Sequence, residues 1–200
     1  MKSTSMQPYQ IFNSIEALPA EAIADLQAIF KCEISQKGTT LPEFAQQNKV
    51  LWVETGLLRA YDTYNGQEIT TWFVDSNQFL YSAPADNTAQ ASYAHIEFLT
   101  KTTYYTCRWH ELEALYLKYP ALNQAGRVLV ESLLRRYNHV LYLLRVLTAA
   151  ERLAYFKEHY PGIHAAASYK YTASFLGVTP EHLSRLNRKE LEIAHKSRIS

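Results

Sequence analysis

Glu181 and Arg185 stand one helical turn apart near the end of a 200-residue chain. Residues at that spacing share one helix face. An arginine there can make a bidentate contact to guanine, and a glutamate can accept from a cytosine amino group. The same outward face carries His182, Ser184, Arg188 and Lys189. Ser168, Lys170, Thr179, Arg188 and Lys189 suit contacts to phosphate oxygens, which hold a protein on a duplex without reading its sequence.

That face needs two helices to position it. Ser168 can cap a first helix over Tyr169 to Leu176. Ala173 is small where a second helix must approach, and Gly177 can take the left-handed backbone that ends the first helix. Val178 plugs the turn. Thr179 then caps a second helix with Pro180 at its first position, where a missing amide costs nothing. Leu183 and Leu186 point inward. This is the pattern of a helix-turn-helix, whose second helix enters the major groove of double-stranded DNA. An ordinary helical hairpin with a basic face is the competing reading.

Charge distribution agrees. The net charge is only +1, but residues 1–100 hold 5 Lys and Arg against 11 Asp and Glu, a net −6. Residues 101–200 hold 15 against 8, a net +7. A basic second half suits a polyanion, although a solvated basic surface would show the same balance. With 48% apolar and 20% charged residues, the chain is an ordinary globular one of one or two domains. No apolar run approaches membrane-spanning length, the longest being Val140 to Leu147 with Arg145 inside it. The first ten residues lack a signal peptide's apolar core. Cys32 and Cys107 stand alone, which fits a reducing cytoplasm. Two cysteines are too few for an iron–sulfur cluster, and no metal or other cofactor is expected.

Upstream, Pro19 to Phe30 reads as a helix with Ile23, Leu26 and Phe30 on one face. From Glu33 to Arg108 the chain is rich in Thr, Tyr, Val, Phe and Trp. Val50–Val53, Leu57–Thr63, Glu68–Val74 and Ile96–Trp109 read as strands. Asn65-Gly66 between two of them is a strong hairpin signal. This block is an antiparallel barrel or roll. Glu111–Lys118 is a short helix stopped by Pro120, and a long helix follows from about Ala121 to Leu147. On it Gly126, Val130, Leu133, Tyr137, Val140, Leu144 and Leu147 alternate at spacings of four and three, a heptad seam suited to a sister helix. Burial within one chain is the alternative. Thr148-Ala-Ala-Glu151 has the form of a capping box.

The order of parts resembles the Crp/Fnr family of bacterial regulators, relatives of the catabolite activator protein, in their short form. The carriers are Leu57-Leu-Arg-Ala-Tyr61, Asn65-Gly-Gln-Glu68, Thr148-Ala-Ala-Glu-Arg-Leu153 and Ala173-Ser-Phe-Leu-Gly-Val-Thr-Pro-Glu-His-Leu-Ser-Arg185, and the resemblance covers nearly the whole chain. It implies an α+β fold with a cyclic-nucleotide-binding-like β-roll over 1–119, a dimerisation helix over 120–147 and a DNA-binding domain over 148–200. It further implies a homodimer on a two-fold operator, base contacts through Glu181 and Arg185, and RNA polymerase as a partner. Pro180 stands where the activator protein carries an arginine, so the target sequence should differ.

Two departures follow. The family's cyclic-nucleotide cassette runs from a Gly-Glu-Leu to an Arg-Ser-Ala, and those triplets fall on Tyr81-Ser82-Ala83 and Ser92-Tyr93-Ala94. Without the arginine a cyclic phosphate loses its charge-assisted bond, so cyclic AMP is not the expected effector. A small-molecule effector pocket lined by Phe79, Tyr81, Ser82, Ser92 and Tyr93 would favour an apolar or aromatic ligand. After Leu191 nine residues remain, which implies a reduced or absent wing. The rival reading is a cupin-like β-barrel enzyme or small-molecule-binding module. His95-Ile-Glu97 resembles part of such a metal site, but the second histidine of the usual pair is missing. No catalytic set is evident, and the chain is expected not to be an enzyme.

Overall fold

In the computed structural model, residues 5–42, 44, 47–82 and 95–196 are described. Two short helices come first, α1 (Pro8–Ile15) and α2 (Ala20–Ile29). Phe12 of α1 and Ala22 and Leu26 of α2 are buried. Eight strands follow among the described residues: β1 (Lys31–Ser35), β2 (Thr40–Leu41), β3 (Lys49–Thr55), β4 (Leu57–Tyr64), β5 (Gln67–Asp75), β6 (Gln78–Tyr81), β7 (His95–Phe98) and β8 (Thr102–Arg108). They make two antiparallel four-stranded sheets, ordered β1-β8-β3-β6 and β2-β7-β4-β5.

Alternation along the strands builds the roll. Leu58 and Ala60 of β4, Trp72 and Val74 of β5, and Ile96 and Phe98 of β7 turn inward. They meet Leu51 and Val53 of β3 and Leu80 of β6 in one core. The β4–β5 hairpin turns on Asn65 and Gly66, both at positive φ (50° and 75°), with Tyr64 opposite Gln67. That left-handed pair is what an Asn-Gly turn supplies.

The expected single strand Ile96–Trp109 is divided. β7 pairs with β4 in one sheet, and β8 pairs with β1 and β3 in the other. The amides of Leu99 and Thr100 both donate to the Leu57 carbonyl, and this turns the chain from sheet to sheet. Trp109 belongs to the next helix, α3 (Trp109–Lys118).

The long helix α4 (Pro120–Val146) starts on Pro120. Its seam does not face one partner. Gly126 is buried, and Tyr137 and Val140 pack on the roll's own core, Tyr137 stacked on Trp72 at 4.4 Å. The exposed large hydrophobic residues described on it are Val130, Leu134, Leu141, Tyr142, Leu144 and Val146. Among the described residues no helix is long and apolar enough to cross a membrane.

Four further helices follow among the described residues: α5 (Ala149–His159), α6 (Pro161–Ala166), α7 (Tyr169–Phe175) and α8 (Pro180–Lys196). The capping box at α5 forms: the Thr148 amide donates to Glu151 Oε2 at 2.8 Å, and the Thr148 hydroxyl accepts from the Glu151 amide at 3.4 Å. Leu153, Phe156, Ile163, Ala173, Leu176 and Leu183 form a separate core with Leu57, Phe73 and Leu99 of the roll. The helical region therefore packs on the outer face of the β2-β7-β4-β5 sheet.

Candidate nucleic-acid interface

The turn between α7 and α8 is built from local chemistry. Ser168 Oγ accepts from the Tyr171 amide at 3.3 Å and starts α7. At its end Gly177 takes φ +66°, the Val178 amide donates to the Ala173 carbonyl and the Gly177 amide to that of Ser174. These two bonds make a Schellman motif, which satisfies carbonyls left open by the helix end. Thr179 Oγ1 accepts from the His182 amide at 3.2 Å and starts α8 on Pro180. Ala173 is fully buried and Leu183 nearly so, and the Tyr169 hydroxyl donates to the Leu183 carbonyl. Lys157 of α5 pairs with Glu190 at 2.5 Å and ties α8 down.

On that frame Glu181, Ser184, Arg185, Arg188 and Lys189 are exposed along α8, and His182 is half-buried. Ser168, Lys170 and Thr179 are exposed beside them. Hydrogen bonds from its own amide and from the Thr179 hydroxyl hold the Glu181 carboxyl below the usual glutamate range. It therefore stands ionised as an acceptor. Arg188 lies 3.9 Å from Glu192, a loose exposed pair that leaves its guanidinium available. α8 continues to Lys196, through the residues where a wing strand would start.

Lys170, Thr179, Glu181 and His182 line a groove of about 1010 Å³ whose opposite wall is the β4–β5 hairpin at Gly66 to Ile69. Ser184, Arg185, Arg188 and Lys189 lie outside it. Of the expected interface residues, the groove thus brings together Lys170, Thr179, Glu181 and His182, and the start of α8 faces the β4–β5 hairpin across it.

A buried ionic cluster holds α7 against the roll. Arg59 of β4 is 1% exposed. Its Nε donates to Glu97 Oε2 at 2.7 Å and its Nη2 to Glu68 Oε2 at 2.5 Å. The guanidinium lies 4.1 Å from the ring centre of Tyr61 and 3.5 Å from that of Tyr171 on α7. The Tyr171 hydroxyl donates to Glu97 at 3.3 Å, and the Thr70 amide of β5 donates to Ser174 Oγ of α7 at 2.9 Å. Sequence reasoning missed this cluster. Its one local signal is an arginine at a strand position flanked by Leu58 and Ala60, which face the core.

The expected effector residues part company. On β6, Leu80 faces the roll interior, whereas Phe79 and Tyr81 face outward into an apolar cavity beneath α1, α3 and α4. Ser82 is buried, with Oγ accepting from the Lys49 amide at 2.6 Å and donating to the Lys49 carbonyl. Ser92 and Tyr93 lie outside the described residues. Among the described residues no group of His, Cys, Asp and Glu could hold a metal.

No family model and no curated protein matches the chain. Its fold, however, matches many solved structures. FixK2 from Bradyrhizobium japonicum superposes with a TM-score of 0.67 at 20% identity, covering 83% of this chain and 86% of that one. A mutant CooA from Carboxydothermus hydrogenoformans gives 0.66 at 16% identity, over 96% and 87%. A CRP-family transcriptional regulator from Thermus thermophilus gives 0.63 at 14% identity, over 81% and 85%. The chain has the Crp/Fnr regulator fold: a β-roll, a long helix and a C-terminal helix-turn-helix.

Proposed function

We propose that the protein is a DNA-binding transcriptional regulator, not an enzyme, which acts as a homodimer on a two-fold operator. The observation that supports this most directly is the capped turn from Ser168 to Pro180, which holds α8 with Glu181, Arg185, Arg188 and Lys189 exposed on one helix. Residues 1–119 act as the sensor, 120–147 as the dimer helix and 148–200 as the DNA-binding part. Arg185 and Glu181 read bases. Ser168, Lys170, Thr179, Arg188 and Lys189 hold phosphates, with His182 and Ser184 beside them. The exposed stripe Val130, Leu134, Leu141 and Leu144 on α4 recurs at spacings of four, seven and three, and suits a sister helix. Two recognition helices would then enter successive major grooves about 34 Å apart. In a regulator of this kind RNA polymerase is the further partner.

Selection of DNA sites from a random pool by the purified protein tests the reading. A two-fold consensus is expected, with affinity falling steeply as salt rises through counterion release. Arg185→Ala should lose about 1–3 kcal/mol on the selected site and relax preference at one position of each half-site. Equal binding by wild type and Arg185→Ala would remove α8 as the reading element.

A further inference from the structure

We propose that the apolar cavity outside the roll is a binding site for a small, uncharged aromatic molecule. The cavity has a volume of about 250 Å³. It lies between the outer face of the β3–β6 edge of one sheet and the helices α1, α3 and α4. Phe12, Trp52, Phe79, Tyr81, Trp109 and Tyr116 supply aromatic walls, and Leu129, Val130 and Leu133 of α4 close the remaining side. The rings are set at angles to one another: Tyr81 and Trp109 lie 4.7 Å apart and tilted by 53°, and Trp109 meets Tyr116 edge-on at 6.1 Å. Such walls offer both ring edges and ring faces to an aromatic guest.

The chemistry of the lining selects the occupant. Among the described residues no charged side chain lines the cavity, so an ion would enter without a counter-charge from them. Water needs several polar partners to stay in such a space, and dry apolar cavities of about 150 Å³ take up benzene. This one has room for a fused two-ring molecule. Burial pushes the Tyr116 hydroxyl far up, so it stays protonated and can present a donor to a neutral guest. Val130 is 55% exposed and lines the cavity, which puts the mouth beside α4.

The site is separate from the roll interior, where Leu80 and its neighbours fill the space. It touches α4 directly, and Val130 belongs both to the cavity lining and to the exposed stripe. A guest would thus fix the first half of the helix proposed to carry the dimer contact. That effector role rests on the regulator reading above; the binding itself does not.

The test is uptake of the neutral two-ring fluorophore 2-naphthol at pH 7, displaced by naphthalene, without DNA. One saturable site per chain is expected. Leu129→Trp fills the cavity, and a Cβ at residue 126, itself on the cavity wall, would sit 2.6 Å from the Tyr116 ring, so Gly126→Ala forces a shift in the lining. Gly126→Ala also raises helix propensity, which keeps the fold in hand. Both variants should weaken the probe at least tenfold, with Leu117→Ala, an exposed α3 residue outside the lining, unchanged. No saturable uptake, or equal affinity in wild type and both filling variants, would overturn the proposal. Because the readout involves no DNA, failure of operator binding leaves it interpretable.

Discussion

Arg59→Ala tests how the helix-turn-helix is fixed to the roll. The guanidinium is 1% exposed and pairs with Glu68 and Glu97, whose side chains are 36% and 18% exposed. Removing one partner of a buried ion pair costs about 3–5 kcal/mol, because the remaining charge is left uncompensated. Glu68 is open enough to recover water, so the lower end applies, about 3 kcal/mol. Tyr171 loses its cation as well, but that contact shares the same arginine and does not add in full. For a chain of this size a loss of 3 kcal/mol lowers Tm by about 6–12 °C. Urea denaturation followed by tryptophan fluorescence gives the free energy. A double-mutant cycle with Tyr171→Leu gives the coupling, expected near 1 kcal/mol. A loss below about 1 kcal/mol, or no coupling to Tyr171, would show that Arg59 does not clamp α7.

Acid should release the same clamp. The Arg59 hydrogen bond holds the Glu68 carboxyl below its ordinary value of 4.5. Its contribution is complete above 4.5 and is lost as pH falls through the depressed folded value, so wild type should lose stability there more steeply than Glu68→Gln. Thr148→Ala removes the α5 cap and should cost about 1 kcal/mol in urea denaturation, and Ser168→Ala a similar amount. Leu134→Glu and Leu141→Glu place charge in the exposed stripe of α4. Both should convert a dimer to monomer by light scattering while circular dichroism is unchanged; a dimer in both variants would move the interface elsewhere.

The helix-turn-helix was legible because its determinants are local. Ser168, Gly177, Thr179 and Pro180 each act on backbone within three residues, as the Schellman bonds and the two caps show. The Asn65-Gly66 hairpin and the Thr148 box are legible for the same reason. β1, β2 and β6 are short, and their pairing partners lie far along the chain, so period and composition alone do not mark them. The break at Leu99 depends on Leu57, more than forty residues earlier. The Arg59 cluster draws on β5, β7 and α7 at once, a meeting that no window of sequence contains. On α4 the heptad spacing is real, but a roll and a sister helix ask for the same apolar residues. Only the packing of Tyr137 and Val140 on the roll separates the two demands.

The bond from the Thr70 amide to Ser174 has a consequence beyond anchoring. β5 ends its sheet, and an open sheet edge is a template on which another chain can add a strand. Here a hydroxyl from α7, the first helix of the helix-turn-helix, occupies one edge amide, with the helix itself lying alongside. Any movement that swings α7 and α8 away from the hairpin also bares that edge. Release of α7 and exposure of the β5 edge to strand addition are therefore one event in this molecule.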